Sequence, residues 1–234
     1  MKMPFFLAMD TTVLLVIPAM LFALYAQSKV RSTYARFSRV PSFRGLRGAD
    51  VARTLLDRAG LHGVRVEMAP GHLTDHYDPR EQVVRLSQPV YAGSSLAALG
   101  IAAHETGHAV QHASGYFALN LRNSFFPLAQ LGSSMAMPLF LLGFLFAGTM
   151  GVLMDIGILL FLFAVLFQVI TLPVEYNASS RAVQLLAENG LIVRDEEAGV
   201  RSVLSAAALT YVAATAVAVS SLLRLLLLRG SRRQ

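Results

Sequence analysis

Residues 102–112 read AAHETGHAVQH and place three histidines, His104, His108 and His112, at intervals of four residues. Glu105 directly follows the first histidine. On an α-helix, residues four apart lie one turn apart on the same face, so the imidazoles of His104 and His108 can point at one ion. Glu105 is turned by about 100° from His104, so it can reach a water molecule on that ion but is poorly placed to bind the ion itself. The stretch therefore predicts a metal site on a helix.

The spacing H-E-x-x-H is typical of zinc peptidases, in which two histidines bind the ion and the glutamate takes up a proton from water. A five-residue match also arises by chance on a buried helix whose histidines are satisfied in a core. Here the helix is apolar and rich in alanine and glycine, and burying two imidazoles and a carboxylate in it is costly without a strong partner. We therefore expect one zinc ion per chain, with His104 and His108 as ligands and Glu105 as the catalytic base.

His112 is a tempting third ligand, but it lies eight residues after His104. That separation is a rise of roughly 12 Å along a straight helix, whereas zinc–nitrogen bonds of about 2 Å require the ligands to converge. Nothing between His108 and His112 breaks the helix. We expect His112 to support the site or the helix rather than to bind the ion.

The third ligand is then expected elsewhere in the chain, and Glu175 is the best candidate. It lies in TLPVEYNASSRAVQLL, residues 171–186, where an apolar run ends and a helix is expected to begin after Pro173. A carboxylate at this boundary is expensive unless it is neutralised, and a zinc ion would neutralise it. The alternative is an interfacial glutamate that pairs with Arg181.

The composition is that of a membrane protein, because 55% of the 234 residues are hydrophobic and only 15% are charged. Four apolar runs are candidate spans: 5–27, 134–153, 156–172 and 206–228. Little more than Asp155 separates the second run from the third, so we expect a tight helical hairpin that leaves the site and returns to it. The fourth run also suits an interfacial helix. Cysteine is absent, which excludes a thiolate metal site.

These runs predict a mainly α membrane protein with about four transmembrane helices and a small α+β, zincin-like module that contains the HExxH helix. The expected segments are an N-terminal anchor (1–28), a membrane-proximal peptidase module (29–132), a transmembrane hairpin (133–172), a helical segment with the third ligand (173–205), and a C-terminal transmembrane or interfacial helix with a basic tail (206–234).

Within the module, the spacing of apolar residues predicts a helix over 48–59 that Gly60 ends. Alternation predicts strands over 63–68 and 82–87, which we expect to pair, while residues 71–80 have the composition of a turn. Ser94 or Ser95 is expected to cap the HExxH helix. The second strand is a candidate edge for an extended substrate.

The net charge of +6 comes from basic residues beside the apolar runs, where they suit anionic lipid headgroups better than nucleic acid. Only Lys2 precedes the first run, whereas four cations follow it: Lys29, Arg31, Arg36 and Arg39. This asymmetry favours the cytoplasm for the module that follows. If all four runs cross, Arg232 and Arg233 lie on the opposite face, against the same rule, unless the fourth segment is re-entrant or interfacial.

Four stretches, GHLTDHYDPREQVVRLS, VYAGSS, AAHETGHAVQH and PVEYNASSRA, resemble the YugP-type neutral zinc metallopeptidases of bacterial membranes in order and spacing. The resemblance covers nearly the whole chain and implies a multi-pass zinc peptidase of the plasma membrane. The chain is more distantly similar to the HtpX and CAAX-prenyl endopeptidase group, where a membrane hairpin separates HExxH from a glutamate ligand that maps onto Glu175. In that group an acidic residue four positions after the glutamate supports a zinc-binding histidine. This chain has Ser179 there, and Asn177 two positions after the glutamate.

The expected reaction is hydrolysis of membrane or membrane-proximal polypeptides near the cytoplasmic face of the bilayer. Four side chains are candidates for stabilising the oxyanion: His72, His76, Tyr77 and Arg181. A catalytically silent zinc scaffold or chaperone for a membrane complex is the alternative that intact ligands leave open. A channel or transporter is disfavoured, because the apolar runs contain almost no polar residues that could line a pore.

Overall fold

The computed structural model describes residues 11–231. The start of the first apolar run, Lys2, Arg232 and Arg233 lie outside the described residues. Within them are four helices long and apolar enough to cross a membrane, and one small three-stranded sheet. These features confirm the predicted fold class, a mainly α membrane protein with a small α+β module.

The elements are α1 (Ile17–Phe37), which follows a 3-10 turn at Thr11–Leu15, α2 (Gly48–Arg58), β1 (Arg65–Ala69), β2 (His76–Asp78), β3 (Val83–Ser87), α3 (Gln88–Tyr91), α4 (Leu96–Ala113), α5 (Phe117–Leu145), α6 (Ala147–Met150), α7 (Val152–Glu188) and α8 (Arg194–Ser231). The described chain divides into two units. One contains Leu121–Thr171 and the described parts of Met1–Tyr25 and Tyr211–Gln234. The other contains Ala26–Asn120 and Leu172–Thr210.

In the first unit, the turn between the two apolar helices lies at a different place from the predicted one. The chain turns at residues 146–151, around the short α6, rather than beside Asp155. Asp155 instead lies in the first turn of α7, where a carboxylate is favoured by the helix dipole. It accepts two hydrogen bonds from Arg229, at 2.8 and 2.7 Å. The break lies at Phe146, whose backbone is not helical (φ −110°, ψ 42°), so the sequence interpretation placed the turn too late.

The prediction that a new helix begins after Pro173 is wrong, because α7 continues through this proline to Glu188. A proline inside a helix removes one backbone hydrogen bond. Packing compensates for that loss: Val174, Ala178 and Ala182, spaced four residues apart, are each fully buried in the second unit. The residues on both sides of the proline therefore remain in one helix.

The second unit has a core in which α2, α4 and α7 bury their apolar faces together. Val51 and Leu55 of α2 pack in one cluster with Leu99 of α4 and Leu186 of α7, and all four are fully buried. Burying a side chain of this size contributes about 1.5–3 kcal/mol. This core fixes the orientation of α4, the helix that carries the histidines.

The sheet in the same unit has the order β1-β3-β2. The predicted strands β1 and β3 do pair, in parallel, with Arg65 opposite Val83. However, the expectation that 82–87 is an edge strand is wrong, because β2 pairs antiparallel on its other side, with His76 opposite Arg85. β2 forms within the stretch predicted to be only a turn. Asp75 holds it in place, since its carboxylate accepts hydrogen bonds from the backbone N–H and the hydroxyl of Ser87.

Candidate metal centre

The HExxH motif lies on α4, which runs unbroken from Leu96 to Ala113. Of the two predicted caps, Ser95 is the one used: its Oγ accepts a hydrogen bond from the backbone N–H of Ala98 at 3.2 Å. His104 and His108 lie one turn apart, and their ring centroids are 4.7 Å from each other with the rings nearly perpendicular. Both imidazoles therefore reach the same point beside the helix.

Gly107 allows α7 to come close to this face of α4. A Cβ atom at this position would lie 2.8 Å from the backbone oxygen of Ala178, so any larger residue would force the backbones apart. Glu175 precedes Ala178 by three residues, about one helical turn. The close approach at Gly107 thus brings the Glu175 carboxylate to the two imidazoles.

The three predicted ligands meet in the second unit. Glu175 Oε2 lies 3.3 Å from His104 Nε2 and 3.7 Å from His108 Nε2. Glu175 is only 3% exposed, and within the described residues no hydrogen bond reaches its Oε2. Two ligands about 2.0–2.1 Å from a tetrahedral zinc ion are separated by about 3.4 Å. A buried, uncompensated oxygen at this distance from two imidazole nitrogens fits a zinc ion. Among the described residues Glu175 pairs with the two histidines and not with Arg181, whose Nε donates to Asn177 Oδ1 at 2.7 Å.

The far side of each imidazole has a hydrogen-bond partner. His104 Nδ1 lies 3.2 Å from Ser179 Oγ, so Ser179 occupies the supporting position that the resemblance assigns to an acidic residue. His108 Nδ1 lies 3.0 Å from Gln111 Oε1. Partners of this kind fix the orientation and the protonation of a metal-binding histidine.

Gln111 determines which nitrogen of His108 carries the proton. Its Nε2 donates to the backbone oxygen of Val174 at 2.8 Å and to Asn177 Oδ1 at 2.9 Å, which uses both amide hydrogens. Its Oε1 can only accept, so the proton of His108 lies on Nδ1 and the lone pair on Nε2 faces Glu175. Sequence reasoning did not identify Gln111. The sequence shows only a polar residue three positions after a predicted ligand, whereas its burial and its partners on α7 become visible in the structure.

Negative charge dominates the electrostatics of the centre. Burial alone lowers the pKa of His108, but the neighbouring carboxylates of Glu175 and Glu105 raise it more, so the net shift is upward. The same carboxylates that favour a positive imidazolium also favour a metal cation at this position. Glu105 itself is 8% exposed. It directly follows His104 on α4, the helix that carries two of the three predicted ligands.

The remaining predicted residues lie at different distances from the ligands. Asn177 accepts hydrogen bonds from both Gln111 and Arg181, so it supports the centre indirectly. His112 stays outside the ligand cluster, because its Nδ1 bonds with the hydroxyl of Tyr77 at 2.9 Å.

Tyr77, on β2, is half-buried, and burial followed by the charge of Asp78 raises its pKa. Because Tyr77 lies on β2 and His112 in the last turn of α4, the hydrogen bond between them connects the sheet to the end of this helix. His76 is exposed, and its Nδ1 lies 2.8 Å from the backbone oxygen of Thr74. His72 is exposed as well.

Two comparisons match nearly the whole chain. A family model described as "Putative neutral zinc metallopeptidase" matches residues 12–230. The "Putative membrane protease YugP" of Bacillus subtilis (strain 168) is 50% identical over 216 residues, which cover 92% of this chain and 95% of that relative. No solved structure matches the chain.

Proposed function

Because the chain belongs to the family described as "Putative neutral zinc metallopeptidase", we propose that it is a zinc-dependent endopeptidase that cleaves polypeptides within or beside a membrane. One observation carries this proposal: a buried carboxylate oxygen that has no hydrogen-bond donor among residues 11–231 and lies 3.3 Å from one imidazole nitrogen of an HExxH motif and 3.7 Å from the other. Such an arrangement is costly for a purely structural purpose and suits an ion.

In this proposal, His104 and His108 hold one zinc ion through Nε2, and Glu175 holds it through Oε2. Zinc supplies Lewis-acid chemistry: it polarises a carbonyl and makes water acidic enough to serve as a nucleophile near neutral pH. Ser179 and Gln111 accept hydrogen bonds from the Nδ1–H groups of His104 and His108 and keep both Nε2 lone pairs directed inward.

Glu105 moves the proton. Its carboxylate accepts a proton from the attacking water while the bond from the water oxygen to the peptide carbon forms. It then delivers this proton to the amide nitrogen as the carbon–nitrogen bond breaks, which releases an amine and a carboxylic acid. The position of Glu105, next to a ligand on α4 and largely buried, suits this exchange.

We place the protein in a bacterial plasma membrane as a multi-pass protein with its site near the cytoplasmic face. Four helices within residues 11–231 are long and apolar enough to cross. The basic residues that follow the first apolar run support the orientation. A substrate within or close to the bilayer is the class that such a site would meet.

The full chain, purified in detergent, tests this function through zinc content and cleavage of an unstructured protein substrate. Glu105→Gln is expected to keep its zinc and to lower kcat about 10²–10⁴-fold, the usual contribution of a general base. Glu188→Gln, an exposed glutamate near the end of α7, is the matched control and should leave both unchanged. If zinc-loaded wild type cleaves no better than Glu105→Gln, the peptidase proposal fails. If the variant also keeps its cellular role, a zinc scaffold replaces the proposal.

A further inference from the structure

A groove of about 750 Å³ lies between the C-terminal part of α1 and the N-terminal part of α8, within the second unit. On α1 its lining follows the spacing of a single helix face: Lys29, Ser32, Thr33, Arg36 and Phe37. On α8 the lining repeats that spacing: Ala198, Arg201, Ser202, Ser205, Ala206 and Leu209. Two helix faces thus form one groove, and the metal centre uses none of these side chains.

The groove is positively charged. Lys29, Arg36 and Arg201 all line it and are exposed, and no carboxylate is among its described lining residues. Arg201 donates a hydrogen bond to Glu197, one turn earlier on α8, at 2.5 Å. The guanidinium of Arg36 lies 5.2 Å from the ring centroid of Phe37. Asp195 and Glu196 precede Glu197 in the first turn of α8, but none of these three carboxylates lines the groove, so the lining itself is cationic and attracts an anion.

The rest of the lining combines hydroxyl groups with apolar surface. Ser32 and Ser202 donate their hydroxyl hydrogens to their own helices, at the backbone oxygens of Lys29 and Ala198, so their oxygens remain available as acceptors. Half-buried Leu209 adds apolar surface at one end. A ligand with a phosphate, hydroxyl donors and an apolar portion would complement all three kinds of surface.

The position of the groove along the two helices suits a lipid headgroup. The first apolar run ends at residue 27, two positions before Lys29, and the fourth begins at residue 206, directly after residues 201–205. Both helices therefore change from polar to apolar at the groove. In a helix that crosses a bilayer, this change marks the depth of the headgroups.

We propose that this groove binds a phosphate-bearing anion, and specifically the headgroup of an anionic phospholipid. Arg36 and Arg201 bind the phosphate from opposite helices, since a guanidinium offers paired donors that match phosphate oxygens. Lys29 adds a third charge. Bound lipid would then join α1 to α8 on the side of the protein where the catalytic module begins. Free phosphate shares this chemistry and is the other source that the experiment must separate.

The test uses the full chain in nanodiscs of phosphatidylcholine, with and without phosphatidylglycerol, followed by native mass spectrometry of the retained lipid. Wild type is expected to retain phosphatidylglycerol preferentially. Arg36→Gln combined with Arg201→Gln should lower this retention about tenfold or more, since each basic residue contributes substantially to anionic-lipid binding. The matched control, Arg65→Gln with Arg80→Gln, removes two exposed guanidinium groups that lie outside the groove and away from the apolar runs in sequence, and it should retain lipid like wild type.

A second arm separates the sources. Inorganic phosphate is titrated into the lipid-free protein in detergent by calorimetry. The groove would be assigned to free phosphate if wild type binds phosphate, the groove variant does not, and wild type shows no enrichment of phosphatidylglycerol in nanodiscs. Equal lipid loss in both double variants, or neither lipid preference nor phosphate binding in wild type, overturns the proposal. Zinc content and the midpoint of unfolding show whether each variant is folded. If the groove variant does not fold, Lys29→Gln is tested in the same assays instead.

Discussion

Glu175 Oε2 lies 3.3 Å from His104 Nε2, yet no hydrogen bond to this oxygen exists within residues 11–231. The two atoms are at a distance expected for two ligands of one ion, although their residues are more than seventy positions apart in the chain. The most direct test of the centre is therefore a measurement of zinc binding rather than of peptide cleavage.

Glu175→Gln removes the charge while it keeps the shape of the side chain. We expect the zinc affinity to fall more than about 100-fold, because loss of a partner that only supports a ligand already costs about 10–100-fold. Competition with a chelator, read out as zinc per chain, measures the change. Glu188→Gln serves as the control, and a Glu175→Gln protein with wild-type affinity would refute the assignment of this ligand.

Gln111 offers a matched pair of variants. Gln111→Leu removes the acceptor for His108 Nδ1–H and should weaken zinc binding about 10–100-fold. Gln111→Glu keeps an acceptor but loses the two donors to Val174 and Asn177. It should therefore retain more zinc affinity than the leucine variant, but unfold at a lower temperature than wild type. Equal zinc affinity in the two variants would mean that Gln111 contributes only packing.

Gly107→Ala should separate α4 from α7. The new Cβ would lie 2.8 Å from the backbone oxygen of Ala178, and we expect a loss of about 1–3 kcal/mol in unfolding free energy together with weaker zinc binding. Gly148→Ala is the control in a helix, since a Cβ at this position would have no described neighbouring atom within 4 Å. Denaturant unfolding and chelator competition measure the two effects. An alanine at 107 that changes neither would show that the helices do not need this contact.

Asp75 gives a pH dependence with a defined sign. Burial raises its pKa despite the hydrogen bonds from Ser87. A carboxyl group whose pKa is raised in the folded state contributes most stability below its unfolded value, about pH 4, and loses it as the pH rises through the folded value. The difference in unfolding free energy between wild type and Asp75→Asn should therefore decrease with rising pH over this window.

Asp78 supplies the opposite control. The backbone N–H groups of Glu81 and Arg80 lower the pKa of its carboxyl group, so its contribution is present above about pH 4 and is lost as the pH falls. The difference between wild type and Asp78→Asn should increase with rising pH. If the two differences changed with pH in the same direction, the opposite pKa shifts assigned to Asp75 and Asp78 would be wrong.

Much of the fold and part of the centre could be predicted from local chemistry. The helical period alone places His104 and His108 on one face, and the cost of a carboxylate at an apolar boundary identifies Glu175. Gln111 could not be found in this way, because its partners Val174 and Asn177 lie 63 and 66 residues away in sequence.

Errors in the fold prediction also came from tertiary contacts. Pro173 is a helix-breaking signal, but buried packing on both sides of Ala178 keeps α7 continuous. β2 is only three residues long, too short to show the alternation of apolar and polar residues that predicts a strand. Pairing with β3 and the anchor at Asp75 create this strand, and they become visible only in the folded chain.

The double role of Gln111 has a consequence for how the proposed zinc ion would enter its site. One amide joins the imidazole of His108 to the backbone of Val174, the neighbour of Glu175, so ligands from two helices are held in register by the polypeptide itself. The cage is preorganised, unlike that of a zinc finger, which collapses when its ion is removed. Stripping with a chelator should leave an intact apoprotein that refills rapidly, limited by entry of the ion rather than by refolding.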